Sequence, residues 1–361
     1  MRKKLKIAHA VHFLRELPPK KYGGIGAIAS ELVYGLAKKG HKITVFGPGR
    51  SHLKGKNITY VNGSPYPTTR SISRKWEIKQ FRTLIKRQTE FDLIHLHYEP
   101  FVGQVSGSDY NKNLFSQIKI PKVYTIHDNT HIPERIKYYK KNKDKLDGFC
   151  VFISKDHREP LKFIKKSTII YNGINENFYK YNSMPQDYML FLGRLTKDKG
   201  IVEAIKTAKA VGSKLFVFGW VDLNHKETKT YYENKVKPLF DGKQIVYGGE
   251  LPALSPKKVR YYQNAKCLLF PISWHEPFGL VMAEAMSCGT PVVGFNMGSV
   301  SEIVKNGETG YVVKNLSQMI KKTKQIEKIK RINCRKRVEK LFTIKKMIEN
   351  YEDYYKKILN T

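Results

Sequence analysis

Short apolar runs rich in β-branched residues alternate with longer runs of helical spacing along this chain, and this alternation constrains the fold most. It is typical of parallel sheets that are covered by helices. In the first half, such runs predict strands at residues 5–11, 42–46, 93–96, 123–126, 149–153 and 168–171. Apolar residues of helical period at 25–39 connect the first two strands and predict a βαβ unit.

The same alternation begins again at Tyr188. It predicts strands at residues 189–192, 214–218, 245–247, 267–270 and 291–294, with helices near 200–211, 256–264 and 279–287. The polar segment 175–186 between the two series is predicted to be a linker. We therefore expect an α/β fold of two doubly wound, Rossmann-like domains at residues 1–180 and 181–340, with ligands at the carboxyl ends of the strands.

Charge is the unusual bulk property, because 66 Lys and Arg against 31 Asp and Glu give a net charge of +35. Such an excess attracts polyanions, whether nucleic acid, anionic lipid or a phosphorylated substrate. A lysine-rich composition spread over solvated faces is the alternative interpretation. We find neither zinc-finger spacing nor an aromatic RNA-binding motif, so we expect no specific nucleic acid partner.

The four cysteines, at positions 150, 267, 288 and 334, lack the close pairing of a zinc or redox site. We expect buried thiols at positions 150, 267 and 288 in a reducing cytosol and hence a cytoplasmic protein. The opening, residues 1–14, is basic and then apolar like a signal peptide, but His9 and His12 interrupt it, and we predict a strand there.

The strongest motif runs from Trp274 to Met286, between an apolar strand and a helix. If Gly279 opens that helix, the backbone N–H groups of its first turn can receive a phosphate. Glu276 and Glu284 could then accept hydrogen bonds from two separate sets of sugar hydroxyls, at most roughly 12 Å apart. The structural alternative is that Glu276 caps the helix and Glu284 lies at the surface.

A second motif, Gly193-Arg194-Leu195 followed by Lys199 and Gly200, also stands between a strand and a helix. Arg194 can give a bidentate fork to a diphosphate, and Lys199 can add a compact charge. A third motif, with glycines at 23, 24 and 26, lacks the full dinucleotide spacing, so we do not expect NAD. Its glycines allow a backbone to approach a ligand closely.

Histidines lie at the ends of two of the predicted strands of the first series. His127 comes at a strand end, where it could hydrogen-bond a sugar hydroxyl. His95 and His97 are candidates either for metal binding or for packing and polar contacts. We predict the second and expect no catalytic metal.

The order of these motifs resembles the retaining GT-B glycosyltransferases of family four. Residues 276–284 are similar to its Glu-x7-Glu signature, and further likeness lies at 23–24, 127, 171–174, 193–195, 199–200 and 307–312, so that it covers nearly the whole chain. The resemblance implies the GT-B fold, in which two Rossmann-like domains face a central cleft. It also implies that a last helix, residues 341–361, returns to the first domain.

The resemblance implies roles for the candidate residues as well. Arg194 and Lys199 would hold the donor diphosphate, and Glu284 would bind the ribose. Glu276 would hold the transferred sugar, which His127 would contact near the acceptor. Further donor contacts are implied for Gly24, Gly193, Gly219, Phe278, Gly279 and Leu280.

The reaction implied is transfer of a hexose from a nucleotide-diphosphate sugar to a hydroxyl, with retention and without metal or other cofactor. UDP is the nucleotide most frequent among the donors of the family. This sequence departs from many relatives at Asn175, where they carry Asp, and at Trp220 and Val221 after Gly219. Because the Gly219 loop borders the base in relatives, the identity of the base stays open.

The acceptor and the function class keep alternatives. Basic and aromatic residues interleave at 71–88, which is typical of a segment on an anionic membrane serving a lipid-linked or polysaccharide acceptor, or of an ordinary helix covering the sheet. Competing functions are a non-catalytic protein that binds nucleic acid or anionic lipid, and a GT-B nucleotide-sugar epimerase.

Overall fold

The computed structural model describes residues 3–11, 16–19, 23–49, 51–62, 70–97 and 114–360, with the backbone alone at 70–75 and at 145. The chain divides into two compact units: the first comprises Met1–Gly173 with Ile344–Thr361, and the second comprises Ile174–Thr343. The sequence predicts boundaries after residues 180 and 340, whereas the units of the structure divide after residues 173 and 343.

Each unit contains one parallel sheet, which confirms the predicted α/β class. The first sheet has the order β3-β2-β1-β4-β5-β6-β7 and the second has the order β10-β9-β8-β11-β12-β13. The strands are β1 (Lys6–Ala10), β2 (Lys42–Gly47), β3 (Ile58–Asn62), β4 (Leu93–Leu96), β5 (Lys122–Thr125), β6 (Phe149–Phe152), β7 (Ser167–Ile169), β8 (Tyr188–Leu192), β9 (Lys214–Phe218), β10 (Ile245–Tyr247), β11 (Cys267–Phe270), β12 (Val292–Phe295) and β13 (Gly310–Val313).

Helices connect these strands, as the right-handed crossovers of a parallel sheet require. They include α1 (Gly24–Lys38), α2 (Arg70–Lys86), α3 (Pro133–Lys141), α4 (Lys155–Arg158), α5 (Ile201–Val211), α6 (Lys226–Tyr231), α7 (Pro256–Asn264), α8 (Leu280–Ser287), α9 (Val300–Ile303), α10 (Leu316–Thr323), α11 (Arg331–Leu341) and α12 (Ile344–Leu359). No helix among the described residues is both long enough and apolar enough to cross a membrane.

Helix α2 covers the first sheet. Its Phe81 and Leu84 are fully buried in a core that also contains Phe46, Phe115 and Tyr124. The apolar face of this basic helix is therefore occupied by the protein's own core, and its exposed face carries the charges.

Helix α12 belongs to the first unit, as the family resemblance implies for the last helix. A Cβ atom on Gly35 of α1 would lie 1.8 Å from Ile348 Cδ1, so the glycine allows α12 to pack closely on α1. Two buried tyrosines of α12 reach the sheet: the Tyr351 hydroxyl lies 2.9 Å from Thr125 Oγ1, and the Tyr355 hydroxyl lies 2.6 Å from His95 Nδ1.

The segment predicted to be a linker is packed within the second unit. Tyr179 is buried, and its carbonyl accepts a hydrogen bond from Ser287 Oγ at 3.0 Å. Ile174 forms a bridge with Thr343, so the two ends of the second unit meet. The polar composition of 175–186 misled the prediction, because Tyr179 in this segment serves a buried polar cluster described below.

The second sheet reverses its strand order between β8 and β11, which are paired neighbours. In a doubly wound sheet the loops that leave two such strands diverge to opposite faces and leave a crevice at the carboxyl edge. The two strongest sequence motifs follow β8 and β11, so both lie at this edge.

Candidate active site

The loops after β8 and β11 are packed directly on each other. The Ser273 N–H donates to the Asp198 carbonyl at 2.9 Å. A Cβ atom on Gly200, whose φ is +71°, would lie 1.9 Å from the Pro271 carbonyl oxygen. Glycine at 200 thus satisfies both the backbone angle and the close contact.

Lys199 and Glu276 meet between these loops. Lys199 Nζ lies 2.5 Å from Glu276 Oε2 and 4.2 Å from the centre of the Trp274 ring. The two side chains are only 11% and 15% exposed. A charge pair so shielded from water interacts more strongly than an exposed one, and either partner left alone would be costly.

Glu276 is also held through its backbone. The Ser299 N–H donates to the Glu276 carbonyl at 3.0 Å. A Cβ atom on Gly298 would lie 2.3 Å from the Glu276 nitrogen, so the loop before α9 presses directly against this residue. The carboxylate therefore projects from a fixed main chain.

Arg194 lies in the same loop as Lys199 but is more exposed. Its guanidinium contacts Asp198 Oδ2 at 3.3 Å, and its side chain is 36% exposed. Such a solvent-exposed pair contributes little energy, so the guanidinium can turn to another anion at small cost.

Gly193 and Gly219 bring the ends of β8 and β9 together. The Gly193 N–H donates to the Phe218 carbonyl at 3.0 Å, and a Cβ atom on Gly219 would lie 1.7 Å from the Gly193 oxygen. The Tyr247 hydroxyl donates to the Gly219 carbonyl at 2.9 Å. Gly219 therefore has a packing role at this edge, whereas a Cβ atom on Gly193 would meet only the Phe191 ring, at 3.9 Å.

Helix α8 begins immediately after the Glu276 loop. Gly279 caps it in the left-handed region, with φ 77°, and the helix starts at Leu280. Phe278 is buried, with its ring 5.7 Å from that of Phe342, so only its backbone can serve a ligand. The first helical turn carries the positive end of the helix dipole, and its Met282 N–H already donates to the Gly279 carbonyl at 3.0 Å.

Glu284 occupies a second, buried cluster. Its carboxylate accepts hydrogen bonds from the Tyr179 hydroxyl at 2.7 Å, the Tyr262 hydroxyl at 2.8 Å and Lys258 Nζ at 3.0 Å. The residue is 8% exposed, so the alternative that it lies at the surface is wrong. Burial raises the pKa of Tyr262 well above its usual range, and the neighbouring carboxylate adds to this effect.

The three partners of Glu284 were missed by sequence reasoning. Tyr262 lies at an apolar position of the predicted helix 256–264, where a tyrosine is ordinarily taken for core. Lys258, one turn earlier, has no signal that separates it from the many surface lysines. The available signal was Glu284 itself, because a carboxylate among apolar residues of a helix, if buried, needs a cation or hydrogen-bond donors as partners.

Gly24 and His127 lie in the first unit, each after the carboxyl end of a strand. Gly24 is the first residue of α1, which follows β1. His127 follows β5, and its Nε2 lies 3.2 Å from His97 Nδ1. His95 Nε2 lies 2.7 Å from Thr125 Oγ1, so His95 and His97 make the predicted polar contacts. His9 is a further buried member of this group that sequence reasoning did not single out as a site.

Comparison with known proteins agrees with this architecture. Residues 22–178 match the family described as Glycosyltransferase Family 4, and residues 174–346 match the one described as Glycosyl transferases group 1. HepE of Anabaena, solved in complex with UDP and glucose, has a similar fold, with a TM-score of 0.74, 14% identity and coverage of 98% of this chain and 100% of HepE.

Two relatives are similar over most of their length. An uncharacterized glycosyltransferase of Methanocaldococcus jannaschii is 28% identical over 82% of each chain. The N-acetyl-alpha-D-glucosaminyl L-malate synthase of Bacillus anthracis is 23% identical over 93% of this chain and 94% of its own. With matches that together span residues 22–346, the chain belongs to family four of the glycosyltransferases, whose fold is GT-B.

Proposed function

We propose that this glycosyltransferase moves a hexose from a UDP-sugar to a hydroxyl acceptor, with retention of the anomeric configuration and without a metal ion. The observation that carries the proposal is the Lys199–Glu276 contact at the reversal point of the second sheet. It places a cation suited to a diphosphate beside a carboxylate suited to sugar hydroxyls.

The charges of this site fit a departing diphosphate. Lys199, the exposed guanidinium of Arg194 and the first turn of α8 supply positive charge at one sheet edge. Preorganised donors of this kind stabilise negative charge that develops in a transition state. Two cations and a helix N-terminus can therefore offset the leaving group in the absence of a divalent metal.

In the proposed transfer, one bond to the anomeric carbon forms as another breaks. The acceptor oxygen forms a bond to the anomeric carbon on the face that the diphosphate leaves, and the bond from that carbon to the diphosphate oxygen breaks. The acceptor proton passes to an oxygen of the leaving phosphate. Glu276 holds the sugar by accepting hydrogen bonds from its hydroxyls.

UDP is the proposed nucleotide because the family favours it and because HepE, of similar fold, is seen with UDP and glucose. A thermal-shift and calorimetric screen of UDP-, GDP- and ADP-sugars tests this choice, since a ligand of the native state raises the melting temperature. We expect UDP-sugars to give the largest shift. Preference for another base would refute the UDP assignment and keep the transferase.

The transfer itself is tested with the preferred donor and a panel of hydroxyl acceptors, with product configuration followed by NMR. We expect a product with the donor's anomeric configuration and a rate unchanged by EDTA. Inversion, or loss of activity on chelation, would overturn the mechanism. Conversion of the donor to an epimer without acceptor would favour the epimerase, and binding without any reaction would favour the non-catalytic alternative.

A contact with anionic membrane is the second candidate function. Lys79, Arg82 and Lys86 of α2 are exposed and lie three and four positions apart, which places them on one face of the helix. With Phe81 and Leu84 in the core, this face would attract lipid headgroups mainly through its charges, beside the half-buried Trp76, whose ring centre lies 5.0 Å from Lys79 Nζ. We expect binding to phosphatidylglycerol vesicles that falls with salt, and none to phosphatidylcholine vesicles. Equal binding to both would exclude this function.

A further inference from the structure

Three histidines of the first unit form a hydrogen-bonded row, of which the family resemblance gives a role only to His127. His9 Nδ1 lies 3.2 Å from His97 Nε2, and His97 Nδ1 lies 3.2 Å from His127 Nε2. His9 and His97 are buried, whereas His127 is partly exposed at the carboxyl edge of the sheet. The row thus leads from the interior of the sheet to its ligand-facing edge.

The surrounding elements fix the rings of this row. The strands β1, β4 and β5 are neighbours, and His9 stands in register with His95. The ring of His95 stacks on that of His97 at 4.2 Å, and Thr125 and Tyr355 hold its two nitrogens. His97 therefore cannot turn without disturbing a fully packed neighbour.

A shared metal ion is the competing interpretation, because nitrogens of His9, His95 and His97 lie within 4.8 Å of one another. Zinc, however, requires each nitrogen at about 2.0–2.1 Å with lone pairs that converge on one point. The rings of His95 and His97 are stacked with an inclination of only 28°, so their in-plane lone pairs lie in nearly parallel planes and do not converge on one point. Both nitrogens of His95 are also engaged by Thr125 and Tyr355. The geometry favours a row of hydrogen bonds.

Neutral rings allow only two arrangements of hydrogen in this row. Burial lowers the pKa of His9 to about 3, so that ring is neutral at pH 7. If His97 carries its hydrogen on Nε2, both contacts are satisfied only when His127 bears hydrogen on Nε2 and a lone pair on Nδ1. If His97 carries it on Nδ1, His9 donates from Nδ1, and His127 bears its hydrogen on Nδ1.

The hydrogen bonding of His9, at the buried end of the row, distinguishes the two arrangements. His9 Nε2 is buried and has no hydrogen-bond partner among the residues that the structure describes. The first arrangement would leave an N–H there, and the second leaves a lone pair. Orphaned buried N–H groups are the rarer of the two in proteins, so the second arrangement is favoured.

We propose that His97, held in turn by His9, is a positioning residue that keeps His127 in the tautomer with hydrogen on Nδ1. His127 then donates from Nδ1 to an oxygen of the sugar donor, a role that rests on the proposed function. The row makes His127 a donor of fixed direction. Without the row, this hydrogen bond no longer selects the tautomer of the His127 ring.

Nuclear magnetic resonance of the ¹⁵N-histidine-labelled chain tests the tautomer without any need for activity. We expect wild-type His127 to show a protonated Nδ1, and His97→Phe to show a mixture of both tautomers. His97→Asn is the matched variant, because its side-chain amide can place an N–H where Nδ1–H of His97 lies, and we expect it to restore the single tautomer. Hydrogen on Nε2 of wild-type His127 would overturn the proposal.

Kinetics with the preferred donor test the consequence. We expect His127→Phe to lower kcat about 100-fold. We expect His97→Phe to lower it about tenfold with KM for the donor nearly unchanged, and His97→Asn to recover most of the loss. The double variant should be no slower than His127→Phe alone, because His97 acts through His127. Additive losses would refute this coupling. Binding of one equivalent of added zinc by these histidines would also refute the row of hydrogen bonds.

The two proposals fail separately. If no sugar is transferred, the proposed function is refuted, while the His127 tautomer still decides the structural claim. If transfer occurs and the tautomer of wild-type His127 is the other one, only the positioning proposal is refuted.

Discussion

Lys199 Nζ and Glu276 Oε2 lie 2.5 Å apart, although 77 positions separate the two residues in the sequence. The contact joins the loops of two neighbouring strands at the reversal point of the sheet. In the proposed function one partner serves the diphosphate and the other serves the sugar. The ion pair therefore keeps both groups in place before the donor arrives, and the donor must share or replace it.

The Lys199 charge is predicted to serve diphosphate binding. Lys199→Met should weaken binding of the preferred nucleoside diphosphate about 10- to 100-fold, because a hydrogen bond to a charged group contributes about 1.5–3 kcal/mol. Titration calorimetry measures the change. The control is Lys197→Ala, an exposed lysine of the same turn, which should bind within twofold of wild type. Equal losses in both variants would mean that only net charge matters.

Arg194 is predicted to act on the same phosphates without supporting the fold. Arg194→Ala should lower nucleotide affinity by about 1.5–3 kcal/mol and leave the melting temperature unchanged, because its pair with Asp198 is exposed. A comparison of the nucleoside diphosphate with the nucleoside localises the effect. If affinity for both falls alike, Arg194 does not contact the phosphates.

Glu276 is predicted to be essential for transfer. Glu276→Gln should reduce kcat at least 100-fold, since the carboxylate holds the sugar in the proposed mechanism. Glutamine is preferred to alanine because alanine would leave the largely shielded Lys199 without a polar partner. Rates are measured with saturating donor, and circular dichroism confirms the fold. Wild-type turnover in this variant would remove Glu276 from the site.

The cluster around Glu284 is predicted to be a stability element. Lys258→Met should lower the free energy of unfolding of the second unit by about 3 kcal/mol or more, because it leaves a buried carboxylate without its cation. Urea denaturation followed by tryptophan fluorescence reports the loss. Lys257→Met, at the exposed neighbouring position, should be neutral. Identical midpoints for the two variants would contradict a structural role for the ion pair.

Glu352 of α12 is predicted to make stability depend on pH. Burial acts to raise its pKa, but hydrogen bonds from Lys356 and Lys39 outweigh this and lower the pKa to about 2. Its contribution is thus fully present above the usual value of 4.5 and is lost as pH falls toward 2.

At pH 7, Glu352→Gln should therefore cost about 1–2 kcal/mol, a figure that allows for solvent screening of the lysines. The difference from wild type should vanish between pH 4.5 and pH 2. Asp353→Asn, exposed on the same helix, is the control and should show no such change. A difference that persists at pH 2 would exclude the carboxylate as its source.

Much of this fold could be predicted because parallel strands in the core are continuous apolar runs. The strands β4, β9, β10 and β11 were predicted at their observed bounds. The edge strand β3 was missed because all five of its residues are exposed or half-buried and it lacks a continuous apolar run. The edge strand β13 was recognised only as part of a family motif.

The site was predictable where one local motif carries the geometry. Two motifs that follow neighbouring strands had to meet at one edge, and Lys199 and Glu276 do. The Glu284 cluster depends instead on Tyr179, which is 105 positions away in the sequence, and a local residue pattern cannot predict so distant a contact. The histidine row likewise arises from the register of three strands, which the sequence does not state.

The bridge between Ile174 and Thr343 has a consequence for how the chain is made. Because the second unit starts and finishes at one spot, it is an insertion between Gly173 and Ile344 of the first. During synthesis all residues of the second unit are made before Tyr351 and Tyr355, which hydrogen-bond to the sheet of the first unit. The first unit can therefore complete its core only after the last stretch of the chain has left the ribosome.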